Sequence, residues 1–246
     1  MTPVLNAFKI VWLFFWLIFF TLLLFIPIIT AAMLGKTGNT AFSITRLWAM
    51  GILAVTGTRT TARGKENIDK SRSYIIISNH QSHFDILAIV VRLGLQYRWI
   101  IKKEIRKVPL FGYALHASRN IFIDRSNRQS AISSINDGVD RLPPGVGVLF
   151  FAEGTRSPDG AIQEFKKGGF VTAVEKGLPI LPVTVNGSRK VLPKHRLVYR
   201  SGKIEVVVAK PIETTDYTPE TIDALIKKTR DTIISNFDPG YPRKSG

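Results

Sequence analysis

The sequence predicts an α/β fold: a largely parallel sheet flanked by helices, with an N-terminal apolar helical hairpin in front of it. Three observations carry that prediction. Short, continuous apolar runs recur from about residue 60 onward, as in strands buried on both faces. Helical stretches separate them, the alternation that builds a parallel sheet through crossover connections. Ahead of both, residues 10–34 carry no charge and are mostly Leu, Ile, Phe or Trp.

Taken in order, that first segment is long enough to cross a bilayer. About 25 residues at 1.5 Å each make roughly 38 Å of helix, against a hydrocarbon core of about 30 Å. A secretory signal has a shorter apolar stretch behind a basic one, and only Lys9 precedes this run. Pro27 predicts a kink near its C-terminal third. After the turn Gly35-Lys36-Thr37-Gly38-Asn39, a second apolar segment, residues 40–57, carries Arg46. The pair reads either as a single span or as a hairpin lying within one leaflet. Both readings attach the chain to a phospholipid bilayer. The basic remainder then faces the cytoplasm, which makes the cell inner membrane the expected location. Residues 1–58 form the membrane-anchoring part and residues 59–246 one folded domain.

Candidate strands in that domain are residues 74–78, 98–101, 121–123, 148–152, 180–185 and 204–209, each a short run of Ile, Val, Phe or Leu. Helices are expected over 85–93, 110–118, 128–142 and 168–176. A last helix has Thr218 as N-cap, Pro219 at its first position and Glu220 in its first turn. Ile222, Leu225, Ile226, Thr229 and Ile233 form its buried face, a structural pattern without chemistry. Residues 239–246 read as a frayed tail.

The formal net charge of +16 and the pI near 10.2 draw the chain toward something anionic. Nucleic acid, phospholipid headgroups, an acidic protein or a phosphorylated substrate would all answer. The apolar N-terminus selects the membrane over nucleic acid, since its Trp and Phe side chains are anchors and not base-stacking platforms. The absence of cysteine excludes disulfides, thiolate catalysis and Cys-based zinc sites together.

Chemistry concentrates where strands open into polar turns. Asn79-His80-Gln81-Ser82-His83-Phe84-Asp85 follows the run at 74–78 directly. A histidine leaving a strand and an aspartate entering the next helix can fold back onto each other. Asp85 then accepts from one ring nitrogen and leaves the other free to take a proton. No Gly-x-Ser-x-Gly elbow supplies a serine nucleophile. A base without a protein nucleophile points to activation of the substrate's own hydroxyl. Further on, Phe151-Ala152-Glu153-Gly154-Thr155-Arg156-Ser157 opens another turn, in which Gly154 permits close approach of a ligand and Arg156 can grip phosphate. Phe122-Ile123-Asp124-Arg125 ends a third strand in a charged pair. Three such ends satisfy the rule that α/β sites form beyond the carboxyl ends of strands. His83 with His80 and Asp85 lacks a further ligand, so no metal is expected, and His116 and His195 read as structural or exposed. Arg125 and Arg156 have an alternative reading as surface ion-pair partners.

These blocks, in this order, resemble the glycerolipid acyltransferases, specifically the bacterial 1-acyl-sn-glycerol-3-phosphate acyltransferases. The family's His-x4-Asp is His80 and Asp85, its Phe-Ile-Asp-Arg is Phe122 to Arg125, and its Phe-x-Glu-Gly-Thr-Arg-Ser is Phe151 to Ser157. Its proline-bearing hydrophobic run is Ile180-Leu181-Pro182-Val183. Lys102-Lys103-Glu104 and Phe165-Lys166-Lys167-Gly168-Gly169 also stand in family-like positions, and the likeness extends over residues 58 to 210. It implies a glycerol-3-phosphate acyltransferase-like fold, with residues 59–246 as the catalytic domain. It further implies acyl transfer to the sn-2 hydroxyl of lysophosphatidic acid, giving phosphatidic acid. The donor would be acyl-CoA or acyl-carrier protein as co-substrate, with no cofactor. His80 would be the base and Asp85 its orienting partner. Arg125, Arg156 and Lys102 (or its neighbour Lys103) would hold the acceptor phosphate, while Glu153, Gly154 and Thr155 shape the pocket around the glycerol. Where many members carry glycine before the second block, this chain has Ser118-Arg119-Asn120, which would add a cation near the phosphate. Competing readings are transfer to another lysolipid, or a noncatalytic basic module that binds membrane or nucleic acid.

Overall fold

The computed structural model describes residues 3–124 and 126–242. Seven strands form one sheet: β1 Arg59–Arg63, β2 Ile75–Ser78, β3 Gln96–Lys102, β4 Ile121–Ile123, β5 Val146–Phe151, β6 Ile180–Asn186 and β7 Lys203–Val208. Their order is β1-β7-β6-β2-β5-β3-β4. Every neighbouring pair is parallel except β6 with β7. The largely parallel α/β sheet is as the sequence predicts. β1 escapes the hydropathy reading because it is Arg-Thr-Thr-Ala-Arg, an edge strand that buries little. Pro182 of β6 lacks a donor and sits where the ladder with β7 gives out, between the Val183–Val208 pair and the isolated Ile180–Ile212 bridge.

Helices α1 Pro3–Leu34 and α2 Asn39–Val55 come before the sheet. Then follow α3 Phe84–Arg92, α4 Phe111–Ala117, α5 Arg128–Asp140, α6 Gly168–Glu175, the short α7 Ser188–Val191, and α8 Ile222–Asn236. One face of the sheet packs against α2, α3 and part of α1, with Phe42, Ile52, Phe84, Ile89 and Leu149 in that core. The opposite face buries Ile75, Ile77 and Val148 with Ile135 of α5, Phe170 of α6, and Leu225 and Ile233 of α8. Burial of these large apolar side chains contributes about 1.5–3 kcal/mol each.

Helix α8 begins at Ile222, so Thr218 is not its cap. Residues 218–221 instead close a turn, with Thr221 N donating to Thr218 O and Thr218 N to Thr221 Oγ1. The predicted face is otherwise in place, with Ile222, Leu225, Thr229 and Ile233 buried.

The N-terminal hairpin forms. Trp12 Nε1 donates to Val55 O at 2.9 Å and Trp48 Nε1 to Thr21 Oγ1 at 3.2 Å. A Cβ on Gly51 would come 2.7 Å from the Phe20 ring, so glycine lets α1 and α2 approach. Helix α1 runs on through Pro27 to Leu34. Its outer side stays bare, with Phe8, Val11, Phe15, Ile18, Leu22 and Ile26 all exposed. The hairpin's tip is held by the domain. Fully buried Arg98 of β3 donates to Thr37 O at 2.7 Å and to Asn39 Oδ1 at 2.6 Å. Burial, and then the charge of Arg119, pull its guanidinium down to about 10.

Candidate active site

The carboxyl ends of β6, β2, β5, β3 and β4 line one edge of the sheet, with β2 and β5 at its centre. The turn after β2 is built from polar groups that replace the lost ladder. Asn79, fully buried, extends the pairing toward β6: its Nδ2 donates to Val185 O at 3.0 Å and its Oδ1 accepts from Val185 N at 2.8 Å. His80 follows. Its own N–H donates to Glu153 Oε1 at 2.7 Å, and its carbonyl accepts from Ser157 N at 2.8 Å. The two strand-end turns are thereby clamped together.

Asp85, fully buried in the first turn of α3, faces back across that turn. Its Oδ2 accepts from Gln81 N at 2.7 Å and Ser82 N at 2.8 Å, and lies 2.8 Å from His80 Nδ1. An oxygen that accepts from two amides and faces a ring nitrogen must accept from that nitrogen as well. His80 therefore carries its proton on Nδ1 and presents a lone pair at Nε2. Nε2 has no hydrogen-bond partner among the described residues. The imidazole stacks on Phe151, centroids 3.8 Å apart and 10° from parallel, and Trp99 stacks behind Phe151. The amides of residues 80–82 are all engaged, so none of these three is free to bind an oxyanion.

The serines at the ends of β2 and β5 are committed too. Ser78 Oγ donates to Asn79 O, Ser82 Oγ to Leu192 O, and Ser157 Oγ to Asp159 Oδ1. All three are buried. Hydroxyls so placed make poor nucleophiles.

Glu153 lies between the two strand-end turns. It is buried, and its two oxygens accept from His80 N and from Gln163 N at 3.0 Å. Burial raises its pKa, against the lowering effect of the Gln163 and His80 amides. It is a positioning residue for His80. Glu153→Gln turns one acceptor toward an amide as a donor, and kcat is expected to fall about tenfold or more, since hydrogen bonds to charged groups are worth about 1.5–3 kcal/mol. KM for the acceptor should hold, and circular dichroism should show the fold unchanged. Gly154 has φ +72°, and a Cβ there would meet the Lys166 ammonium at 2.7 Å, so glycine serves the turn and a neighbouring lysine. Thr155 is exposed, with Lys194 Nζ 3.4 Å from its hydroxyl.

Half-buried Arg156 lies beside His83. Desolvation first, then Arg156 and His80, hold the His83 pKa below its ordinary 6.5. As pH falls the unfolded chain binds this proton first, so the site loses stability on acidification, starting near 6.5 and continuing down through the folded value. His83→Gln should flatten the pH dependence of the melting temperature below about pH 7. No group of three His, Asp or Glu side chains among the described residues could hold a metal ion.

The remaining cations lie toward β3 and β4. Lys102 ends β3, two strands from His80, or about 10 Å away. It is half exposed and lies 3.4 Å from the equally open Glu104, whereas Lys103 pairs with Asp124. That pairing holds the Asp124 carboxyl well below the usual range and leaves Lys102 the more available cation. Arg125 falls outside the described residues. Arg119 is not in this cluster. It precedes β4 at the opposite edge of the sheet, its stem packed on Gly38 of the hairpin turn. Its φ of +60° explains why glycine suits this position.

Fold and site together define an α/β transferase that carries a membrane-seeking hairpin. The chain belongs to the acyltransferase family, whose family model matches residues 59–186. It is 31% identical to human 1-acyl-sn-glycerol-3-phosphate acyltransferase alpha over 90% of this chain and 77% of that one. It is 33% identical to the chloroplast 1-acyl-sn-glycerol-3-phosphate acyltransferase of Brassica napus over 69% of this chain, spanning 49% of that protein's length. In three dimensions it matches the crystal structure of the 1-acyl-sn-glycerophosphate acyltransferase PlsC from Thermotoga maritima. The TM-score is 0.81, at 25% identity over 96% of both chains.

Proposed function

We propose that this chain acylates the sn-2 hydroxyl of lysophosphatidic acid from a thioester donor, giving phosphatidic acid, on the cytoplasmic face of the cell inner membrane. The observation that carries the proposal is the His80–Asp85 pair, with Nε2 unpartnered among the described residues and the serines at the ends of β2 and β5 engaged. His80 Nε2 takes the hydroxyl proton as the acceptor oxygen attacks the thioester carbonyl. The carbon–oxygen bond forms, the carbon–sulfur bond breaks, and the departing thiolate receives the proton from His80. Asp85 stabilises the imidazolium in between. Arg156 and Lys102, with Arg125, hold the acceptor phosphate. No cofactor enters the scheme.

The hairpin argues for attachment within one leaflet. Its tip is gripped by Arg98, and beyond its base Ser201 Oγ bonds to Thr56 O at 3.0 Å, so both ends lie on the same domain. A helix crossing the bilayer would leave that tip on the far side. Phe151, against which His80 stacks, and Trp99 behind it pack on the face of the sheet covered by the hairpin. The base therefore opens toward the lipid.

The test is an assay of thioester consumption in nanodiscs with a panel of lysolipids, offering CoA-linked and carrier-protein-linked donors. Phosphate-monoester acceptors should turn over fastest. Preference for an acceptor without that phosphate would refute the acceptor assignment, and inertness with every pair would refute acyl transfer.

A further inference from the structure

A second basic site lies on the opposite flank of His80 from Lys102. A cavity of about 1630 Å³ opens beyond β6 and β7, bounded by the loop 193–203, by the end of α8 and by Asn6 near the start of α1. Six cations line it, Arg189, Lys190, Arg196, Arg200, Lys203 and Arg230, against the carboxylates Asp159 and Asp238. Arg189, Lys190 and Arg230 are tied to backbone carbonyls: Pro158 O at 3.0 Å, Gly240 O at 2.6 Å and Ile162 O at 2.9 Å. Those bonds orient the cations without neutralising them. The side chains of Arg196, Arg200 and Lys203 are exposed and make no hydrogen bond or ion pair with the described residues. Cations gathered on a concave wall repel one another until a polyanion enters, and the concavity focuses their field.

The cavity also reaches the reaction centre. Gln81, next to His80 in the chain, lines it. That residue is 2% exposed, and both the oxygen and the nitrogen of its side-chain amide are buried without a partner. A buried amide left unmade costs about 1–3 kcal/mol, an expense that a polar ligand passing this wall would relieve.

We infer that this cavity binds the phosphate-bearing nucleotide end of a coenzyme A thioester, whose pantetheine arm runs past Gln81 to bring the thioester to His80. The inference rests on the acyl-transfer reading and assigns its donor side. Strand order supports it: Lys102 lies toward β3, the cations of this cavity lie toward β6 and β7, and β2 with His80 stands between, while residues 159–162 after the β5 turn also line the cavity. Two anionic substrates would thus approach from opposite flanks and meet over the base. An indented site of this volume suits a small polyphosphate, whereas a carrier protein would dock by a convex face on a flatter surface.

The test compares the wild-type full chain with Arg196→Ala/Arg200→Ala/Lys203→Ala in zwitterionic nanodiscs. Two donors carry the same acyl group: the CoA thioester and the N-acetylcysteamine thioester, which has no phosphate. The triple variant should raise KM for the CoA thioester at least about tenfold, the equivalent of one lost charge-assisted hydrogen bond. Its kcat and its KM for lysophosphatidic acid should be kept, and turnover of the truncated donor should be unaffected. Direct binding of free coenzyme A, followed by titration calorimetry, should weaken in parallel. The assignment is overturned by an unchanged KM for the CoA thioester, by an equal loss with the truncated donor, or by a raised KM for lysophosphatidic acid instead. Loss of binding to phosphatidylglycerol vesicles at constant donor KM would mark a lipid-headgroup site and overturn it too. So would a wild type that uses only carrier-protein thioesters. A wild type active on the CoA thioester separates these failures from that of acyl transfer itself, which inertness with every donor would overturn together with this assignment.

Discussion

His80→Ala is expected to lower acyl transfer by about 10²–10⁴-fold, the usual contribution of a positioned general base. The loss should fall on kcat. The backbone groups that clamp the turn, His80 N to Glu153 and His80 O from Ser157, are unchanged by removal of the ring. The ring's stack on Phe151 and its bond to Asp85 Oδ2 are given up, while Oδ2 keeps the amides of Gln81 and Ser82. Membrane attachment rests on α1 and α2, remote in sequence from residue 80, and should persist in flotation assays. Near-normal turnover in this variant would remove His80 from the reaction.

Asp85→Asn should cost nearly as much, for a different reason. Asp85 Oδ2 carries all three contacts, with His80 Nδ1 and the amides of Gln81 and Ser82, while its Oδ1 is buried without a partner. An asparagine can place its carbonyl where Oδ2 stands and its amide where Oδ1 stands. The turn then keeps its geometry, at a cost of about 1–3 kcal/mol for a buried NH₂ without an acceptor. What disappears is the negative charge that stabilises the imidazolium, so kcat is expected to drop about 10²–10³-fold with little change in KM. The melting temperature discriminates: Asp85→Ala leaves buried amides unsatisfied at about 1–3 kcal/mol each and should melt markedly lower than Asp85→Asn. Equal activity in Asp85→Asn and wild type would show that the charge plays no part.

The sheet was legible because six of its strands are short apolar runs with polar ends. β1 was not, since its Arg-Thr-Thr-Ala-Arg is held by pairing with β7, about 140 residues later in the chain, and not by its own hydropathy. The same distance effect limits the reading of the site. His80 and Asp85 are five residues apart, and a turn suffices to join them. Glu153 bonds the His80 amide across 73 residues, so only the β2–β5 pairing reveals it as a support for the base. Asn79, a polar residue directly after an apolar strand, was a visible signal whose partner, Val185, was out of view. Thr218 misled for a local reason: a good cap residue followed by proline also makes a good turn, and the helix starts four residues later. Arg119 misled because a cation near a motif says nothing about which edge of the sheet it occupies.

With His80 activating the acceptor's own hydroxyl, the acyl group passes in one step between two bound substrates. Acid-quenched reaction of the wild-type chain with a donor labelled in its acyl group tests it most directly, run with and without lysophosphatidic acid. Label is expected in phosphatidic acid when the acceptor is present, with neither donor consumption nor protein-bound label when it is absent. Stoichiometric label on the protein, chased into phosphatidic acid on addition of acceptor, would contradict it.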